Sequence, residues 1–163
     1  MSNVSPLPGV AGYSADHPAA NSFVTMTIAG QLFGIPVLQV QDVLGPQRLT
    51  RIPLAPVEVA GSLNLRGRIV TAIDVRTRLG LPPRPADIKG MSVVVDLGGE
   101  LYSLLIDQVG EVLTLNREDF EANPPTLDPR WRDISRGIYR LKEQLLVVID
   151  IAQLLNLSRA SAA

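Results

Sequence analysis

The most informative segment of this chain is Gly61-Ser-Leu-Asn-Leu-Arg-Gly-Arg-Ile-Val-Thr-Ala-Ile-Asp-Val-Arg-Thr-Arg-Leu-Gly-Leu81. The Asn-Leu-Arg-Gly segment at 64–67 is typical of a turn, and the β-branched run 68–73 after it predicts a strand. Asp74 then stands at the N-cap position of a short amphipathic helix, where a carboxylate accepts hydrogen bonds from free amide groups. The stretch therefore predicts a turn, a strand and a short helix in that order.

The same order of elements recurs later in the chain. Residues 24–44 match residues 93–113 at one constant offset, and residues 61–81 match residues 137–157 at a slightly larger one, so that Asp150 corresponds to Asp74 as a second helix cap. Each copy predicts four or five short strands and one helix, with a hairpin turn at Ala29-Gly30 and a bend or bulge within 37–44 in the first copy. Because neither copy is large enough to bury a core alone, the repeat predicts two small β-barrels that share one hydrophobic core.

The repeat and the composition shifts predict a single ordered domain over 22–157. Its two intertwined halves run roughly over 22–90 and 91–157, and the segments 1–21 and 158–163 are expected to be disordered tails. Proline-rich stretches predict irregular connections at 82–90 and 121–133.

The amino-acid composition argues against several classes of function. The chain is 46% hydrophobic but only 4% aromatic, so the core must be built from Val, Leu and Ile. A net charge of -1 argues against non-specific nucleic-acid binding. The absence of Cys excludes disulfides and zinc–thiolate sites. With no signal peptide and no apolar run of membrane-spanning length, we expect a cytoplasmic protein.

Asp74 and Asp150 form an equivalent acid pair in a duplicated β protein, as the catalytic carboxylates of aspartic proteases do. Those enzymes require Asp-Thr/Ser-Gly, whereas the sequences here are Asp-Val-Arg and Asp-Ile-Ala. We therefore interpret both residues as structural helix caps and keep a β-barrel hydrolase as the weaker alternative. The sequence predicts no catalytic residue, cofactor or metal site.

Three arginines within 61–81 are predicted to lie in two different environments. Arg76 and Arg78 are predicted on the solvated polar face of the short helix. Arg66 lies inside the turn, after the apolar residues Leu63 and Leu65 and before a glycine, and Asp42 is its best candidate partner. Such a pair either orients the turn or presents Arg66 to a binding partner, and both roles are compatible.

Together these segments resemble the bacterial chemotaxis coupling protein family CheW, from about Phe23 to Leu157. The likeness rests on Phe33-Gly-Ile, Val40-Gln-Asp-Val, Thr50-Arg-Ile-Pro, Gly61-x-x-Asn-Leu-Arg-Gly-Arg-Ile-Val, Ile73-Asp-Val-Arg and Asp107-x-Val-x-Glu-Val-Leu. The resemblance implies a mostly β fold of two SH3-like five-stranded barrels with short helices. It also implies a non-enzymatic adaptor or scaffold protein.

The resemblance further implies two partners: the regulatory domain of the histidine kinase CheA and the cytoplasmic hairpin tip of chemoreceptors (methyl-accepting chemotaxis proteins). It places the kinase on the exposed edge of the first barrel and the adaptor in membrane-bound receptor arrays. The implied receptor-binding residues are Val40, Asp42, Asn64, Leu65, Arg66, Gly67 and Val109. The family most often has Glu where this chain has Asp42, and the shorter side chain is expected to weaken the pair with Arg66 or to leave a water between them. An alternative with the same fold is a scaffold for a non-flagellar array that controls pili or a second messenger.

Overall fold

The computed structural model describes residues 21–157, so the predicted tails 1–21 and 158–163 lie outside it, except for Asn21. The strands are β1 Ser22–Ile28, β2 Gln31–Pro36, β3 Val40–Leu44, β4 Val59–Leu65, β5 Arg68–Asp74, β6 Met91–Leu97, β7 Glu100–Ile106, β8 Gln108–Thr114, β9 Phe120–Glu121, β10 Ser135–Arg140 and β11 Leu145–Ile149. The helices are α1 Val75–Arg78, α2 Pro129–Arg132 and α3 Ile151–Leu154, with 3-10 turns at Val37–Gln39 and Arg117–Asp119.

Two sheets form the described part of the chain. Sheet A has six strands in the order β8-β1-β2-β11-β10-β9, and sheet B has five in the order β3-β6-β7-β5-β4. Neighbouring strands are antiparallel except for β2 with β11 and β5 with β7, which are parallel. The prediction of a mostly β fold with two SH3-like subdomains and short helices is confirmed. Sheet A exceeds the predicted five strands because the two-residue strand β9 extends its edge.

Each sheet takes strands from both copies of the repeat. The β1–β2 hairpin of the first copy joins β8 and β11 of the second, whereas β6 and β7 of the second copy lie between β3 and β5 of the first. The halves 22–90 and 91–157 therefore do not correspond to the two sheets. Removal of either copy would therefore open both sheets.

Two strands carry buried apolar side chains on both faces and so contribute to two hydrophobic clusters each. In β11, Val147 and Ile149 belong to the large shared core, whereas Leu146 and Val148 pack with Phe23 on the opposite face. In β6, Val93 and Val95 face the shared core and Val94 belongs to a smaller cluster inside sheet B. Strands that are apolar on both faces are expected where a sheet is covered on both sides.

The local predictions hold for the first hairpin and for β3. Ala29 and Gly30 turn between β1 and β2 with φ of 51° and 81°. The pairing of β3 with β6 shifts register between Val40 and Asp42, which is the predicted bulge.

The prediction for 121–133 is wrong in part, because this segment contains the end of β9 and all of α2. Asp128 caps α2 by accepting a hydrogen bond from Arg130 N, and Pro129 occupies the first turn. Trp131 meets Phe33 edge to face, with ring centroids 5.2 Å apart. The helix therefore closes one side of the shared core.

Candidate functional site

The segment at 64–67 forms the tight turn between β4 and β5. Leu65 pairs with Arg68, which leaves Arg66 and Gly67 as the two turn residues, with φ of 52° and 86°. Two positive φ values define a type I′ turn, which matches the twist of the flanking strands. The Asn64 side chain stabilises the turn, since its Oδ1 accepts a hydrogen bond from Gly67 N at 2.9 Å. Gly67 and Asn64 thus have structural roles in presenting Arg66.

Asp42 and Arg66 lie in direct contact. Arg66 Nη2 is 3.0 Å from Asp42 Oδ2, and the two side chains are 76% and 23% exposed. The oxygen is buried and the contact lacks the alignment of a hydrogen bond, so the interaction is an ion pair. Of the two expected effects of the shorter Asp side chain, the bridging water is wrong, because β3 brings the carboxylate within direct reach; a weakened pair stays a prediction.

This ion pair joins the two edges of sheet B. Asp42 is on β3 at one edge, and Arg66 follows β4 at the other. Thr50 and Ser62 add a second link, with reciprocal backbone hydrogen bonds of 2.8 Å between the segment after β3 and β4. The pair therefore helps to close sheet B into a barrel while most of the Arg66 guanidinium stays exposed.

The remaining predicted site residues pack in different parts of the fold. Val40 and Val109 are half-buried and pack against the shared core, one from each sheet. Val109 N donates to Met91 Sδ at 3.5 Å, which connects β8 to the start of β6. Leu65 packs against the small cluster inside sheet B. The structure thus brings Asp42 and Arg66 into contact, whereas Val109 comes from the other sheet.

A second charged pair was missed from the sequence. Arg76 Nε and Nη2 donate to Asp107 Oδ1 and Oδ2 at 2.8 and 2.6 Å, and the side chains are only 10% and 7% exposed. Arg76 Nη1 also donates to Pro82 O, and Asp107 Oδ2 accepts from Ala29 N. The prediction of a solvated Arg76 is therefore wrong, because its guanidinium is buried in hydrogen bonds to Asp107, which is 31 residues away in sequence.

The environment of this pair keeps both groups charged. Burial opposes ionisation of Asp107, but the hydrogen bonds from Arg76 and Ala29 outweigh it and hold the pKa of the carboxyl below its usual value. The hydrogen bond to Asp107 raises the pKa of Arg76 against the effect of burial. The pair ties the β1–β2 turn, α1 and the end of β7 together, so we assign it a structural role.

Arg78 and the two capping aspartates connect the repeated helices. Arg78 donates to the carbonyl oxygens of Gln153 and Leu154 at 2.8 Å each. The prediction of a solvated Arg78 is therefore only partly right, because the guanidinium also contacts the last turn of α3. Asp74 Oδ1 accepts from Thr77 N, and Asp150 Oδ1 accepts from Gln153 N. Both carboxylates thereby satisfy amide groups at helix N-termini.

The fold and this site define a mostly β protein of two SH3-like subdomains, with an arginine presented on a rigid turn at the edge of one of them. The family model described as CheW-like domain matches residues 22–159. The chain is 29% identical to the chemotaxis protein CheW of Klebsiella aerogenes, over 87% of this chain and 86% of the relative. It is 24% identical to the chemotaxis protein CheW of Bacillus subtilis, over 92% and 96% of the two chains.

A solved structure agrees with these sequence relatives. The scaffolding protein TtCheW of Thermoanaerobacter tengcongensis superposes with a TM-score of 0.75 at 26% identity, covering 85% of this chain and 94% of that one. This chain therefore belongs to the CheW family.

Proposed function

We propose that this protein is a non-enzymatic adaptor that couples chemoreceptors to the histidine kinase CheA in chemotaxis. The observation that carries the proposal is the match of the CheW-like domain model to 22–159, which includes every described element. Relatives named chemotaxis protein CheW and a structural relative titled a scaffolding protein support it. These names favour chemotaxis over the alternative of a scaffold for pili or a second messenger.

The geometry of Asp74 and Asp150 favours an adaptor over a hydrolase. Each carboxylate accepts a hydrogen bond from its own helix, so each has a structural task that explains its presence. A pair of catalytic carboxylates would instead share a proton at one site.

The proposed receptor surface consists of Val40, Asp42, Asn64, Leu65, Arg66, Gly67 and Val109. Its centre is the Arg66 guanidinium, which keeps hydrogen-bond donors available because it is 76% exposed while Asp42 fixes one of its nitrogens. Val40 and Val109 are half-buried, and we include them as the apolar part of the proposed surface. A polar hot spot next to aliphatic contacts is typical of protein interfaces, where Arg is enriched.

The receptor surface is tested by binding to a receptor hairpin tip. Arg66→Ala and Asp42→Ala are each expected to weaken binding, by about tenfold or more if Arg66 contacts the partner. Arg140→Ala is the matched control, because Arg140 forms an exposed pair with Glu121 in sheet A. Equal binding by Arg66→Ala and Arg140→Ala would remove this surface from the proposal.

The double exchange of Asp42→Arg with Arg66→Asp separates the two roles of the pair. If the pair acts only by holding the turn, the exchange restores part of the binding that each single change loses. If Arg66 contacts the receptor, the exchange does not restore binding, although the protein remains folded. Circular dichroism of both variants checks the fold.

The proposed kinase surface is the exposed edge of the first barrel, at the outer face of β5 beside β4. Ile69 on β5 is 69% exposed and adds apolar area there. Because Ile69 pairs with Asn64 of the proposed receptor surface, Ile69→Ser is expected to weaken co-elution with the kinase regulatory domain in gel filtration more than it weakens receptor-tip binding. Undiminished co-elution would place the kinase elsewhere.

The proposed location is at membrane-bound receptor arrays, reached through the receptor tip. Within residues 21–157, no helix is long and apolar enough to cross a bilayer. Loss of array localisation in Arg66→Ala cells, measured with a fluorescent fusion, is the expected result.

A further inference from the structure

A cavity of about 170 Å³ opens into the interior of sheet B, away from the ion pair of the candidate site. It lies between the segment that follows β3 and the segment that precedes β6, and Leu49 and Leu105 form apolar parts of its wall. A water molecule requires only about 15 Å³ of such space. The cavity is therefore large enough for a small ion together with several waters.

One wall of the cavity carries a hydroxyl group without a partner. Ser103 is 1% exposed, and its Oγ has no hydrogen-bond partner within residues 21–157. Buried hydroxyl groups in proteins are almost always hydrogen-bonded, and an exception requires an explanation. A ligand in the cavity that Ser103 lines would supply the missing acceptor.

The charges around the cavity have one sign. Among the described residues that line it, Arg84 and Lys89 are positive and none is a carboxylate. Arg84 Nε donates to Ile88 O at 2.7 Å, which orients the guanidinium and leaves the Nη atoms as further donors. The neighbouring cavity of about 150 Å³ also touches Arg84 but contains the carboxylates of Asp74 and Asp107. Arg84 therefore borders both cavities, and of these two only the first has no carboxylate among the described residues that line it.

We propose that the cavity of sheet B binds a small oxyanion. Ser103 Oγ donates one hydrogen bond to it, while Arg84 and Lys89 supply charge-assisted hydrogen bonds at the opening. The shared chemistry is a tetrahedral or planar group of negatively charged oxygens, as in inorganic phosphate or a carboxylate. The site is independent of the receptor surface, because it contains none of the proposed receptor-binding residues.

The test is thermal unfolding of the full chain during titration with sodium phosphate or sodium acetate, against sodium chloride at matched ionic strength. A ligand that binds only the folded state raises Tm by about 4 °C at roughly ten times its Kd, and Tm continues to rise with the logarithm of the ligand concentration. Such a rise beyond that in sodium chloride with phosphate alone identifies a phosphoryl group, and one with acetate identifies a carboxylate. No rise beyond that in sodium chloride with either anion overturns the proposal.

Three variants locate the site. Ser103→Ala and Lys89→Gln are each expected to lower the affinity for the anion by about tenfold. Lys142→Gln is the matched control, because it removes the same charge from the exposed turn between β10 and β11. Ser103→Ala removes a buried hydroxyl without a partner, so its Tm without anion is expected to be equal or higher. Equal loss of affinity in Lys89→Gln and Lys142→Gln would mean diffuse charge screening and would overturn the site.

Discussion

Replacement of Arg76 by Met tests whether the buried pair with Asp107 is a structural centre. The change removes donors at 2.8 and 2.6 Å from the two carboxylate oxygens, and leaves Asp107 with the Ala29 amide at 2.9 Å. Breaking a buried pair from one side costs about 3–5 kcal/mol, because the remaining charge stays desolvated. Against a typical total stability of roughly 5–15 kcal/mol, this loss is large.

Urea unfolding followed by circular dichroism measures this loss. With an m-value of about 2 kcal/mol/M, the midpoint is expected to fall by about 2 M without a change in m. The control is Arg140→Met, which breaks the exposed pair with Glu121 and is expected to cost less than about 1 kcal/mol. Arg76→Met with Asp107→Leu removes both charges and should be less destabilised than Arg76→Met alone. The reasoning is refuted if Arg76→Met costs no more than Arg140→Met.

Three further predictions concern pH, the turn and a helix cap. The pKa of Asp107 in the folded state is below its unfolded value of about 3.9, so its contribution to folding stability is full above that pH and is lost as pH falls through the folded pKa. The difference in unfolding free energy between wild type and Asp107→Asn, measured by urea unfolding, should therefore shrink below about pH 4. A constant difference from about pH 7 to about pH 3 would contradict this. Gly67→Ala should cost about 1–2 kcal/mol in Tm measurements because φ is 86° with open space around it, whereas Gly45→Ala, also in open space but outside the left-handed region, should be neutral; equal effects would remove the conformational explanation. Asp150→Ala should lower stability by about 1 kcal/mol and Asp150→Asn by much less, since Asn also caps helices, and a similar loss in both would mean that the charge and not the cap matters.

The sequence was informative where a local rule determines the structure. Asn-Leu-Arg-Gly specified the tight turn because Gly67 tolerates positive φ and Asn64 supplies an acceptor for its amide. The apolar run at 145–149 indicated a shared core, and the structure buries Val147 in one cluster and Leu146 in another. Asp42 was predicted to pair with Arg66 because Val40-Gln-Asp-Val belongs to the same half of the chain, and the two side chains lie in contact.

Features that depend on contacts between residues distant in sequence could not be predicted. The repeat is local in sequence, but nothing in it specifies that β1 and β2 exchange into the sheet of the second copy. Arg76 was assigned to solvent because a four-residue helix defines its faces poorly, and the burial depends on Asp107 at the end of β7. Helix α2 had a readable signal that was overlooked, since Asp128-Pro129 is a typical helix start.

A combined binding assay tests whether this chain bridges a receptor and a kinase. The full chain is mixed with a CheA regulatory domain and a chemoreceptor hairpin tip at roughly 50 μM, a concentration that would populate complexes of micromolar Kd. Analytical ultracentrifugation then reports the masses. We expect a ternary complex that contains all three proteins, and absence of binding to either partner at this concentration would refute the bridging function.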